Sequence, residues 1–262
     1  MIAYGAILIL AFESFGLNMD IKILLLSKKT HFSDFINECL KDDAFEIDYS
    51  DKLKKNTLQD NIVIVNLLQE RNYIEKEIEY ILQSKCQKII LLENAMDLYL
   101  NCQNSSPFSV YINLQPKNEI SSRLLDIEKK IINSNKQYVI FRITDIYGPT
   151  ICEGIINKLI TSKKLVIENT KHDFIYEGDV MQAIELALKQ SVLGLFDIAS
   201  GQTIALRKVS DLIRKTYNDC PDIHWKRKKQ EISFNCENFK FFGWQPIVSI
   251  EVGLKTIFLS RS

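Results

Sequence analysis

Three histidines, His31, His172 and His224, are the side chains best suited to moving protons at neutral pH. None sits in a pattern that fixes a reaction. The chain has no Gly-x-Ser-x-Gly nucleophile elbow, no His-Glu-x-x-His metal pair and no P-loop. Phosphate chemistry has two starting points. Lys28 and Lys29 share a short loop, where they either attract phosphate as point charges or stand solvated. The run Lys226-Arg-Lys-Lys229 follows Trp225 and would face a diphosphate or an acidic partner, or form a solvated surface segment. The six cysteines (Cys39, Cys86, Cys102, Cys152, Cys220 and Cys236) are scattered, with no Cys-x-x-Cys pair. That usage suits buried thiols in a reducing cytoplasm far better than a disulfide frame or a metal site.

The elements that would position these residues alternate between strand and helix, the pattern of an α/β fold with a parallel sheet. Continuous apolar runs at Ile21–Leu26, Asn61–Leu68, Lys88–Leu92 and Tyr138–Ile143 read as strands covered on both faces. Between them Phe32, Phe35, Ile36, Cys39 and Leu40 mark one face of a helix, and Ile74, Ile78, Ile81 and Leu82 another. Later stripes are Leu124, Leu125, Ile127, Ile131 and Ile132, then Val180, Ala183, Ile184, Ala187 and Leu188, then Leu206, Val209, Leu212 and Ile213. No low-complexity linker or fixed-period repeat interrupts the chain, which predicts one unit.

Composition narrows the partners. With 33 basic and 33 acidic residues the formal net charge is zero, so bulk charge argues for neither nucleic acid nor an anionic membrane. Met1–Phe12 is uncharged and mostly apolar, but it lacks a basic start and falls short of the roughly 18–20 residues that span a bilayer. Residues 1–18 are therefore expected to be a non-essential N-terminal extension.

Four segments carry a resemblance. Phe141-Arg-Ile-Thr-Asp-Ile-Tyr-Gly-Pro149, His172-Asp-Phe-Ile-Tyr-Glu-Gly-Asp-Val180, Gly194-Leu-Phe-Asp-Ile-Ala-Ser-Gly201, and Phe242-Gly-Trp-Gln-Pro246 with Ile250-Glu-Val-Gly-Leu254 occur in that order. Together they resemble the extended short-chain dehydrogenase/reductase family, the NAD-dependent epimerases and dehydratases of sugar nucleotides. The resemblance implies a Rossmann-like doubly wound parallel sheet with helices on both faces over residues 19–150. A small, reduced substrate portion of the same domain would occupy 151–262. It also implies that His172 and Tyr176 lie where substrate binds, His172 in place of a phosphate-contacting arginine. The stretch from Pro149 to Asp173 is shorter than its family counterpart, which implies a reduced sugar pocket.

The chemistry of that family is where the sequence departs. The glycine positions that let backbone amides approach a pyrophosphate fall on Ser27, Thr30 and Ser33. Asp48 or Asp51 would take the place of the acidic residue that meets the ribose. A catalytic tyrosine needs a neighbouring cation, because a phenol near its ordinary pKa of about 10 is a poor base at neutral pH. Leu91–Tyr99 resembles the strand end that bears the family's catalytic hydroxyl, which then falls on Ala95. Aligning Glu128 with the family's helix glutamate puts Ile120 and Leu124 at the Tyr and Lys positions; a shift of one gives Glu119 and Arg123. Neither register restores the pair.

These residues predict a divergent family member without redox catalysis, acting as a binding or partner subunit related to nucleotide sugars and surface-polysaccharide synthesis. NAD or NADP is the only cofactor implied. Helix Ile120–Ile132 would carry a homodimer or heterodimer contact, unless its stripe is core of a single chain. Two alternatives stay open: an active NAD(P)-dependent enzyme with a non-standard site, and a ligand-free dimeric scaffold.

Overall fold

The apolar runs form a parallel sheet, and their alternation shows which helix covers which face. In a computed structural model the described residues are 21–42, 45–51, 53, 62–68, 74–100, 106–216 and 221–261. The proposed extension, Asn61, Cys102 and Cys220 lie outside them. Six parallel strands run in the order β2 (Glu46–Ser50), β1 (Lys22–Leu26), β3 (Ile62–Asn66), β4 (Lys88–Asn94), β5 (Gln137–Ile143) and β9 (Gly194–Ile198). Ile23, Leu25, Ile64, Ile90, Leu92, Val139 and Phe141 face one way, against α1 (His31–Asp42) and α6 (Glu177–Lys189). Leu26, Val63, Val65, Ile89, Leu91 and Ile140 face the other, against α2 (Glu75–Gln83) and α4 (Glu119–Ile132). Both faces are covered, as the absence of polar alternation in these strands requires. The predicted doubly wound sheet is therefore present.

The order places β2 and β3 on opposite sides of β1. The C-terminal ends of β1 and β3 thus flank the switch point where open α/β sheets bind ligands. The strand β2, polar at every second residue, went unread in the sequence except for Asp48.

The helix α4 starts where the sequence supplies a cap. The Asn118 side chain accepts from Ser121 N at 2.9 Å, and Ser121 Oγ accepts from Asn118 N at 3.4 Å. Such a reciprocal cap is worth about 1 kcal/mol. Leu124, Leu125, Ile127 and Ile131 are all buried within the single chain, and only Ile132 is substantially exposed, at 39%. The apolar surplus expected to need a second chain is taken up by α2, the sheet and the short helix α3 (Ala95–Tyr99).

Residues beyond 150 return α6 and β9 to the main sheet and build a smaller layer beside it. There β8 (Lys171–Tyr176) pairs with β6 (Asp145–Tyr147), β10 (Thr203–Ala205) and β12 (Glu231–Ile232), while β7 (Lys164–Glu168) pairs with β11 (Asp222–Lys226). The helices α5 (Gly154–Thr161), α7 (Leu206–Thr216) and α9 (Ile250–Arg261) enclose its core of Tyr147, Ile156, Phe174, Val209 and Leu254. The short α8 (Glu237–Lys240) brings Phe239 back onto Phe141 and Phe196.

Candidate functional site

The loop after β1 closes on itself. Thr30 precedes α1, and its Oγ1 accepts from Ser33 N at 3.0 Å, while Ser33 Oγ accepts from Thr30 N at 2.8 Å. Ser33 is wholly buried, and its hydroxyl also meets the Tyr49 hydroxyl at 2.9 Å. Ser27 accepts from Asn66 Nδ2 at 3.2 Å, tying the loop to the end of β3. The three hydroxyl residues at the glycine positions therefore fill and cap this turn, and two of its amides have side-chain acceptors. Lys28, Lys29 and His31 are exposed. Asp48 is exposed in the middle of β2, opposite Leu24, whereas Asp51 follows the strand's C-terminal end.

The end of β4 holds the implied hydroxyl position. Asn94 caps α3 by accepting from Met96 N at 2.8 Å, which turns Ala95 inward, where it is wholly buried. Around it lie Tyr99, Phe108, Ala199, Ile232, Phe234 and Cys236. Phe108 stacks on Tyr99 with ring centroids 4.9 Å apart, and Phe234 meets Tyr99 edge-on at 5.6 Å. Two otherwise distant segments supply these rings. Phe108 N donates to Ser233 O at 2.8 Å, Asn235 N donates to Phe108 O at 2.9 Å, and the Ser106 and Ser233 hydroxyls meet at 2.6 Å. An aromatic plug thus occupies the space beside Ala95. Ile120 packs half-buried onto the core beneath α4, and Leu124 is buried there. The alternative register places Glu119 and Arg123 on the outside, paired to each other at 2.5 Å, with Arg123 also 3.8 Å from Glu75.

Beneath the plug lies a buried ionic cluster that the sequence reading did not assemble. Glu93, Arg142 and Asp197 stand in one row across β4, β5 and β9. Glu128 grips the Arg142 guanidinium with two bonds of 2.7 Å, the bidentate geometry of a strong ion pair. Arg142 Nη1 donates to the Tyr99 hydroxyl at 2.9 Å, which donates to Asp197 Oδ1 at 2.8 Å. Burial, and then the charge of Glu128 beside it, hold the Glu93 carboxyl well above the usual carboxylate range. Burial also works against the Glu128 charge, but hydrogen bonds from Glu93 and Arg142 outweigh it and hold Glu128 below that range. Burial pushes Asp197 up to about 6. The available signal was a charged residue inside each of three apolar strand runs.

In the smaller layer, His172 on β8 is held from both sides. Its Nδ1 lies 2.6 Å from Asp145 Oδ2 and its Nε2 lies 2.8 Å from Thr170 Oγ1, while Phe174 stacks on the ring. Tyr176, on the same face of β8, accepts from Thr256 Oγ1 at 3.1 Å and packs edge-on against Tyr147. His224 is exposed on β11, next to a half-buried Trp225 that Arg207 overlies at 5.6 Å. Lys226–Lys229 is exposed, and Lys228 pairs with Glu168 at 2.6 Å.

Three carboxylates of the second resembling segment, Asp173, Glu177 and Asp179, bind backbone. Asp173 accepts from Ser200 N at 2.9 Å, Ser200 Oγ at 2.6 Å and Gly201 N at 3.0 Å, joining β8 to the Ser200–Gly201 turn. Asp179 accepts from Ile247 N and Val248 N at 3.1 and 3.2 Å, just past Trp244, whose Nε1 donates to Asp179 O at 2.9 Å. Glu177 accepts from Thr150 N at 3.0 Å and lies so close to Gly148 that a Cβ there would fall 2.2 Å from its side chain. Burial raises Asp173 to about 6 and Glu177 to about 7. Among the described residues, no three His, Cys, Asp or Glu side chains are grouped to hold a metal ion, and no helix is long and apolar enough to cross a membrane.

No family model matches the chain, and no curated protein matches it in sequence. Solved structures do match. UDP-glucuronic acid 4-epimerase from Bacillus cereus, in complex with NAD, superposes with a TM-score of 0.77 at 14% identity, over 92% of this chain and 98% of that one. UDP-glucose 4-epimerase from Thermotoga maritima, with UDP-glucose, gives 0.72 at 18% identity, over 92% and 99%. RMD from Pseudomonas aeruginosa, complexed with NADPH, gives 0.70 at 13% identity, over 92% and 98%. The chain therefore has the extended short-chain dehydrogenase/reductase fold. At such identities the likeness fixes the fold and leaves the chemistry to the residues.

Proposed function

We propose that this chain is a divergent relative of the NAD-dependent sugar-nucleotide epimerases and dehydratases that has lost redox catalysis and serves as a nucleotide-sugar-related binding or partner subunit. The plug carries this reading: Tyr99, Phe108 and Phe234 fill the place beside Ala95 where a reacting sugar would meet a catalytic hydroxyl. Ile120 and Leu124 can neither move a proton nor lower a tyrosine pKa.

The cofactor loop supports the same conclusion. A dinucleotide pyrophosphate needs free amides and close backbone approach at the start of the first helix. Here Ser33 Oγ and Thr30 Oγ1 engage the amides, and the Tyr49 hydroxyl meets Ser33 from the neighbouring strand. These residues do not fit NAD or NADP in the family's manner.

A partner surface on α4 is not required by Leu124, Leu125, Ile127 and Ile131, which are core, whereas Ile132 is exposed. The free thiols of Cys86, Cys152 and Cys236 support a reducing, cytoplasmic setting. A role in surface-polysaccharide synthesis rests on the kinship alone.

Native mass spectrometry of the freshly purified protein tests the reading. A bare subunit or a mixed complex, with no mass increment for a dinucleotide, is expected. NAD or NADP on each subunit, together with turnover of any UDP-sugar, would return the chain to the active enzymes.

A further inference from the structure

Two carboxylates meet one guanidinium beneath the plug. Glu93 Oε1 lies 3.6 Å from Arg142 Nε, while Glu128 takes both short bonds from that group. Glu93 is wholly buried, and neither of its oxygens has an N–H or hydroxyl donor. Only a proton held between Glu93 and Glu128 satisfies both carboxyls, since two like charges in a dry interior cannot both stay ionised. Asp197 and Tyr99 face the cluster from β9 and α3, and Lys129 acts on Glu128 from along α4.

The cluster is also the anchor of the plug. Tyr99 joins Arg142 to Asp197 through its hydroxyl and carries Phe108 and Phe234 on its ring. The backbone of Val110, two residues beyond Phe108, favours the charged form of the Asp197 carboxyl.

We propose that the proton shared by Glu93 and Glu128 locks the aromatic plug, and that its loss as pH rises lets Phe108 and Phe234 swing away and admit water to the cleft beside Ala95. An unmatched second negative charge next to Arg142 is relieved most cheaply where the cover is thinnest. That cover is two loop segments joined by a few hydrogen bonds. The inference is independent of whether the chain retains catalysis.

Hydrogen exchange of the Phe108 and Asn235 amides, which bridge the two segments, tests this from pH 5 to 8, corrected for intrinsic rates. The Ile140 amide in the central sheet serves as the reference for global opening. A carboxyl raised in the closed state makes closure strongest below its ordinary range and weaker as pH climbs toward the raised value. Protection of the two amides should therefore fall by up to about tenfold per pH unit and then level off, relative to Ile140. In Glu93→Gln, which keeps the shape without the titrating proton, only the shallower dependence left by Asp197 should remain. A flat wild type, or a parallel fall in both proteins, would overturn the proposal. Should Glu93→Gln fail to fold, carbon NMR of the Glu93 carboxyl in the wild type decides. A carboxyl still protonated at pH 6 supports the lock, and one ionised at pH 5 excludes it.

Discussion

The turn at Ser27–Ser33 and the clamps at Asp173, Glu177 and Asp179 use the same chemistry in opposite directions. In the turn, side-chain hydroxyls engage the backbone amides that the fold elsewhere offers to a ligand. In the clamps, carboxylates reach across to amides of other segments and hold the smaller layer against the sheet. The segments that still resemble active relatives are the ones whose side chains secure backbone. The departures fall at Ser27, Thr30, Ser33, Ala95, Ile120 and Leu124, the positions that the resemblance assigns to cofactor and substrate chemistry. The recognisable sequence of a scaffold can therefore reside in residues that hold backbone.

Mutations can break or sharpen that contrast. The largest effect should come from Arg142→Leu, which strands Glu128 as an uncompensated buried charge; denaturant unfolding should show a loss of about 3–5 kcal/mol. A loss below about 1 kcal/mol would mean that water reaches the cluster. Second is pH. Asp173 and Glu177 are raised to about 6 and about 7 in the folded chain, so it binds more protons than the unfolded chain. Stability should therefore be greatest below the ordinary carboxylate range of these groups and decline as pH rises through 7. Between pH 5 and 8 the decline should be about 2–4 kcal/mol by thermal or urea unfolding. Glu177→Gln should flatten much of the upper part of that slope, and an unchanged slope would clear Glu177 of the effect. The smallest effect belongs to the turn. Ser33→Ala removes one helix-cap acceptor and should cost about 1–2 kcal/mol. Dinucleotide binding appearing in Ser33→Ala would show that the hydroxyl alone had closed the loop.

The fold was legible because its signals are local. Runs such as Ile89–Leu92 read as buried strands, and Val180, Ala183, Ile184 and Ala187 as a helix face, without knowing their neighbours. The four resembling segments supplied the topology. Within the candidate site, the sequence offers apolar residues, Ala95, Ile120 and Leu124, at the positions that the resemblance gives to hydroxyl, tyrosine and lysine. The aromatic cluster beside Ala95 was not readable. Phe108 and Phe234 belong to segments whose serines, Ser106 and Ser233, are 127 residues apart, and nothing in either segment announces the other. Glu93, Arg142 and Asp197 are each an isolated charge in sequence and become a cluster only through strand register. The dimer expectation on α4 failed to gain support for a related reason. A stripe broader than one helix face needs is also what a helix wedged between α2, α3 and the sheet presents.

The Ser106–Ser233 contact also sets an order of events during synthesis. When β9 leaves the ribosome, every strand of the main sheet has been made and Phe108 is present, but Phe234 is not. A nascent chain at that stage has the whole parallel layer and only half of the cover over Ala95. Its cleft is open in a way the finished protein's is not. The last part of the chain thus both completes the smaller layer and shuts the door on whatever had access to the sheet's edge before it arrived.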